Sequence, residues 1–128
     1  MYRKGLSKDP RNLDAKTGLA LIDLKQNHLR EAAKEAQAIL VKAPDSSDAL
    51  LIAGLVAWRE ARLADAEKIF TKGVGIDDRR SDFHAFLGRI AEAQGHPQDA
   101  LRQYDRALEL DPHDTLIADR RDHLKDSQ

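Results

Sequence analysis

Five histidines, His28, His84, His96, His113 and His123, are the side chains of this chain best suited to hold a metal or to carry a proton. No two of them stand three or four residues apart, the interval that would put two ligands on one helix face. No metal site and no cofactor is therefore expected. The acidic residues gather at the starts of helical patterns and on charged faces, as in Glu31, Lys34 and Glu35, where the helix dipole and pairing one turn apart account for them. There is no paired-carboxylate site, glycine-rich phosphate loop or nucleophile elbow, and no Ser/His/Asp set can be recognised. An enzyme is not expected.

The constellation that does stand out is apolar. Between Ser47 and Glu60, the residues Leu50, Ala53, Gly54 and Ala57 are enough for one buried helical stripe. Leu51, Ile52, Leu55 and Trp58 then occupy an adjoining face, with Arg59 beside it. A plainer reading makes this a middle helix buried on several sides, with Trp58 and Phe86 in the core.

The elements that would position these residues follow from a repeat. Pro10, Pro44, Asp78 and Pro112 are spaced by 34 residues, and segments 13–46, 47–80 and 81–114 agree column by column. Ala20, Gly54 and Gly88 form one small-residue column and Ala32, Ala66 and Ala100 another, as needed where two helix backbones approach closely. Leu19, Ala53 and Leu87, then Ala36, Phe70 and Tyr104, then Leu40, Val74 and Leu108 fill the larger positions. The first helix of each pair is expected to start near Asn12, Ser47 and Ser81, with those side chains capping it and Asp14, Asp48 and Asp82 in the first turn. Turns are expected at Asn27-His28, Ala61-Arg62 and Gly95-His96, and second helices from Leu29, Leu63 and Pro97.

These columns resemble the tetratricopeptide repeat family, whose unit is a helix hairpin of this length. Lys16 and His84 depart from it where a large apolar residue is usual, Ala36 replaces an aromatic and Asp78 a proline. The resemblance implies an all-α, right-handed solenoid of antiparallel helix pairs in one domain. Residues 1–12 would be a partial second helix, 13–46, 47–80 and 81–114 three repeats, and 115–128 a capping helix and tail. It also implies a concave groove lined by first helices, to which Leu21, Leu24, Leu51, Ile52, Leu55, Trp58, Arg59, Phe86 and Arg89 would contribute partner-binding residues. One class within the family clamps a terminal carboxylate with lysine, asparagine and arginine. The matching positions here are Thr17, Leu21, Ile52, Asp82 and Phe86, so that clamp is missing and hydrophobic recognition remains. The expected function is a non-catalytic module that takes an amphipathic helix or extended apolar peptide, within a scaffolding or assembly protein. Self-association into an oligomer or longer superhelix is one alternative, and a docking segment for an enzyme domain elsewhere is the other.

Composition agrees with such a role. With 21 basic and 22 acidic residues the formal charge is -1, so a nucleic-acid partner is not expected. The longest apolar run, Ala49 to Trp58, is about half of what a bilayer crossing requires, and direct membrane insertion is not expected. With no cysteine there is no disulfide framework, and cytoplasm and bacterial periplasm stay equally open. Tyr2, Gly5 and Leu6 match Tyr104, Ala107 and Leu108, so the chain is expected to open mid-repeat as a piece of a longer protein. From Thr115 to Lys125 a first-helix pattern restarts but is rich in charge, with Asp119, Arg120, Arg121, Asp122 and Lys125, and reads as a solvating cap.

Overall fold

Seven helices, α1 (Asn12–Lys25), α2 (Leu29–Lys42), α3 (Ser47–Arg59), α4 (Leu63–Ile76), α5 (Ser81–Ala93), α6 (Pro97–Leu110) and α7 (Thr115–Asp126), make up the computed structural model. It describes residues 12–127, and no strand occurs among them. The match of Tyr2, Gly5 and Leu6 to a helix end lies outside the described residues. The second helices begin at Leu29, Leu63 and Pro97, and α3, α5 and α7 also start 34 residues apart. Each link is a few residues long, which forces neighbouring helices to run antiparallel.

The turns inside the pairs repeat in geometry as well as in position. Asn27, Ala61 and Gly95 all have left-handed backbones, with φ of 63°, 60° and 78°. The following amide donates back across the turn each time: His28 N to Asp23 O at 2.7 Å, Arg62 N to Ala57 O at 2.9 Å and His96 N to Ala91 O at 2.8 Å. This is the helix stop in which one left-handed residue lets the chain satisfy the last carbonyls. Gly95 and Asn27 adopt that conformation readily, whereas the Cβ of Ala61 costs about 1 kcal/mol there.

The first helices start at Asn12, Ser47 and Ser81 as expected, but the caps of α3 and α5 stand one residue earlier than expected. Ser47 and Ser81 are the first helical residues rather than the caps. The α3 cap is Ser46, whose Oγ accepts from Ala49 N at 3.2 Å, and α5 is preceded by Arg80 with no side-chain cap. Adjacent serines make the two positions indistinguishable by residue type. The geometry selects Ser46, because a cap must be extended, with φ -71° and ψ 106°.

The chain divides into two compact units, one up to Ile69 and one from Phe70 onward. In the first, α1, α2 and α3 pack on one another around Ala20, Leu24, Ala32, Ala36, Ile52 and Val56. Alanines on facing helices let the α1 and α2 backbones come close, so Ala36 at the aromatic position is simply buried. In the second, α6 lies against both α5 and α7, over a core that includes Ala85, Ala100, Tyr104, Ala107 and Ile117. Phe83 is also fully buried and meets Phe70 with ring centroids 6.1 Å apart.

His84, at a position where a large apolar side chain is usual, is 7% exposed and fully engaged. Nδ1 lies 2.9 Å from Gln103 Oε1 and Nε2 lies 3.1 Å from the carbonyl of Asp78. A carbonyl only accepts, so Nε2 carries a proton and fastens α5 to the turn before it. This histidine is a structural element, and among the described residues no group of three or more His, Asp or Glu is placed to hold a metal.

Two glycines of α4 have opposite roles. A Cβ on Gly73 would fall 2.7 Å from the Phe83 ring, while one on Gly75 would meet nothing within 4 Å. Gly73→Ala is expected to lower stability by about 1–3 kcal/mol through overpacking. Gly75→Ala is expected to raise it by about 0.5–1 kcal/mol, the usual gain for removing a helical glycine. Urea unfolding of the two variants beside the parent chain checks both signs.

Candidate functional site

The residues read from the sequence as groove lining separate by burial. On α1, Leu21 is 38% exposed, but Leu24 is only 4% exposed, and on α3 Ile52 is 0% exposed. Leu24 and Ile52 are therefore corrected from surface to core. The reason is that α3 packs against both α1 and α2, so its buried sector widens to take in Ile52 and Val56 one turn apart. Leu55 is partly buried against the same cluster, and Leu51 and Trp58 are half-buried. Arg59 reaches across to α1, where Nη1 donates to the carbonyl of Leu24. That carbonyl also accepts from Asn27 N at 3.0 Å, so Arg59 is a second donor to the end of α1.

Phe86 and Arg89 belong to the second unit, and there the structure does bring predicted residues together. Phe86 stacks on Phe70 with centroids 5.4 Å apart and ring planes 15° from parallel. The Arg89 guanidinium lies 5.6 Å from the Phe86 ring centre, within reach of a cation–π attraction. Both residues line a cleft of about 470 Å³ between α5 and α7. Its apolar part is Ala85 and Phe86 from α5 and Leu116 and Ile117 from α7. Leu116 is 76% exposed, while Ile117 beside it is buried.

Sequence reading missed the contribution of α7, taking it as a solvating cap. The signal was present in the register. Leu116, Ile117 and Arg120 stand 34 residues after Asp82, Phe83 and Phe86, so they face as the first helix of a pair faces. Their charged neighbours outweighed them in composition.

A polar latch holds α7 in place. The Tyr104 hydroxyl, on α6, donates to Glu92 Oε1 on α5. Arg120 Nε lies 3.3 Å from that carboxylate oxygen and 3.3 Å from the Tyr104 oxygen. Arg121 adds a second tie to α6, with Nη1 3.4 Å from Asp105 Oδ1. At the start of α7, Asp114 Oδ1 accepts from Ile117 N at 3.1 Å and caps the helix. Loss of water around Tyr104, followed by its hydrogen bond to Glu92, pushes its hydroxyl pKa up to about 12.

Comparison with known proteins gives one consistent result. Residues 17–82 and residues 81–114 each match a family model described as Tetratricopeptide repeat. A "TPR repeat-containing protein" of Treponema pallidum (strain Nichols) is 32% identical over 92 residues, which are 71% of this chain and 11% of that protein. This chain thus spans about a tenth of that relative. Among solved structures, the first TPR of Spaghetti (RPAP3) bound to the HSP90 peptide SRMEEVD superposes with TM-score 0.85 at 17% identity, over 96% of this chain and 98% of the other. The Yersinia enterocolitica type III secretion chaperone SycD, in complex with a peptide of the translocator YopD, gives TM-score 0.83 at 18% identity, over 91% and 95%. At such identities the likeness is one of fold, an all-α solenoid of helical repeats.

The Tyr104 latch gives a pH prediction. A hydroxyl that holds its proton more tightly folded than unfolded stabilises the fold fully below the ordinary tyrosine value, near pH 10, and loses that contribution as pH rises through about 12. The urea midpoint of the parent chain is expected to fall more steeply between pH 10 and 12 than that of Tyr104→Phe. Parallel slopes in the two would show that folding does not tighten the hold on the Tyr104 proton.

Proposed function

Because the chain belongs to the tetratricopeptide repeat family, we propose that it is a protein–protein interaction module whose docking site is the cleft between α5 and α7. The observation that carries this reading is the lining of that cleft. An exposed leucine, Leu116, stands across from Phe86, an aromatic ring fixed by stacking on Phe70. An apolar side chain entering between them leaves water on two sides without any rearrangement of the core, the arrangement expected of a preformed recognition pocket. Support comes from the solved relatives of the same fold that hold peptides.

The proposed ligand is narrower than a wholly apolar helix. The cleft also carries Asp82, Arg89 and Arg120, so an occupant has to present polar groups beside its apolar anchor. The face formed by Leu21, Leu51, Leu55 and Trp58 in the first unit remains a second candidate surface, reduced by the burial of Leu24 and Ile52. Among the described residues no helix is long and apolar enough to cross a membrane.

The experiment is selection of peptides from a random display library on the full chain, followed by fluorescence anisotropy on variants. Leu116→Glu is expected to weaken the selected peptides at least tenfold, since about 1.4 kcal/mol of the 1.5–3 kcal/mol for burying such a side chain would be lost. Its thermal midpoint should stay near that of the parent, because Leu116 makes little of the core. Full affinity in Leu116→Glu, with loss instead in Leu55→Glu, would move the site to the first unit and overturn this assignment.

A further inference from the structure

The charges of the α5–α7 cleft are ordered, and their order specifies a ligand. Helices α5 and α7 are each antiparallel to α6 and so run in the same direction. Along α5 the cleft meets Asp82, then Phe86, then Arg89, and on the other wall it meets Asp114, the cap of α7, then Leu116, then Arg120. Both walls therefore read acid, apolar, cation from the same end. Glu92 offsets part of the Arg120 charge at 3.3 Å, and Arg80 part of the Asp82 charge at 3.1 Å, but neither reverses the order of signs.

From this geometry we infer that the cleft selects a short extended peptide segment carrying one basic, one apolar and one acidic side chain in line. The inference rests on the cleft being the docking site and names its ligand. Seven residues of helix from Asp82 to Arg89 rise about 10 Å, which an extended peptide covers in about three residues at roughly 3.3 Å each. The basic and acidic residues thus stand three apart, with the apolar one between them. A peptide with two like charges puts one of them against its own sign, so mixed charge is the distinguishing requirement.

The Phe86 ring sets the spacing of the tiers. It is pinned by Phe70 on one side and carries Arg89 over its face, so the apolar and cationic tiers are fixed relative to each other. Leu116 is its exposed counterpart on the α7 wall. Recognition of this kind needs no terminal carboxylate and works on an internal segment.

The test uses the isotopically labelled full chain and four synthetic octapeptides titrated by amide NMR. Their central residues are Lys-Leu-Gly-Glu, Lys-Leu-Gly-Lys, Glu-Leu-Gly-Glu and Lys-Gly-Gly-Glu, each flanked by Gly-Ser and Ser-Gly. The mixed-charge leucine peptide is expected to shift α5 and α7 resonances and to bind about tenfold more tightly than the other three. Arg89→Glu is expected to transfer the preference to the Lys/Lys peptide, a switch that simple unfolding cannot mimic. Equal binding of all three leucine peptides, abolished by Leu116→Glu, would overturn the charge order while leaving the cleft as docking site. Absence of shifts on α5 and α7 with every peptide would overturn both.

Discussion

The approach of the α5 backbone to the ring of Tyr104 is the constraint on which the second unit turns. At Gly88 there is no room for even a methyl group, since a Cβ there would lie 2.5 Å from the ring. That closeness lets the Tyr104 side chain pass beside α5 and present its hydroxyl to Glu92 and Arg120. Without it, α6 would stand farther off and the hydroxyl would not reach. The latch in turn holds α7, and α7 supplies one wall of the cleft. A packing rule about small residues thus becomes, in three steps, a rule about where Leu116 and Arg120 stand.

The first unit meets the same requirement differently. Its facing positions are Ala20 and Ala36, both fully buried, so the helices close on small side chains and no hydroxyl emerges on the far side. Arg59 provides the polar tie instead, by donating to the end of α1. Repeats built on one interval can therefore differ in which of them carries a rigid polar latch, and hence in which surface is preformed for a partner. This difference directs attention to the α5–α7 cleft rather than to the more apolar α3.

Much of this was legible in the chain itself, for physical reasons that can be traced. The 34-residue interval fixes helix starts, and the left-handed turn residues Asn27, Ala61 and Gly95 stand at the positions where the pattern breaks. Less legible were features that depend on what packs against what. Leu24 and Ile52 have the same composition as surface residues of an apolar groove, and only the contact of α3 with both α1 and α2 buries them. The role of α7 was hidden because charge dominates its composition, although its register placed Leu116 and Arg120 on the facing side. Ser46 and Ser47 differ only in backbone conformation, which residue type does not encode.

The most direct test of the central packing claim is the urea unfolding free energy of Gly88→Ala, because two effects predict opposite signs. Helix propensity alone would stabilise the variant by about 1 kcal/mol. The contact with Tyr104 predicts a loss of about 1–3 kcal/mol instead, with partial recovery when Tyr104→Leu makes room in the same chain. A Gly88→Ala chain as stable as the parent, or more so, would contradict the account, for the ring would then not be pressed against α5 and the latch that positions α7 would lose its basis.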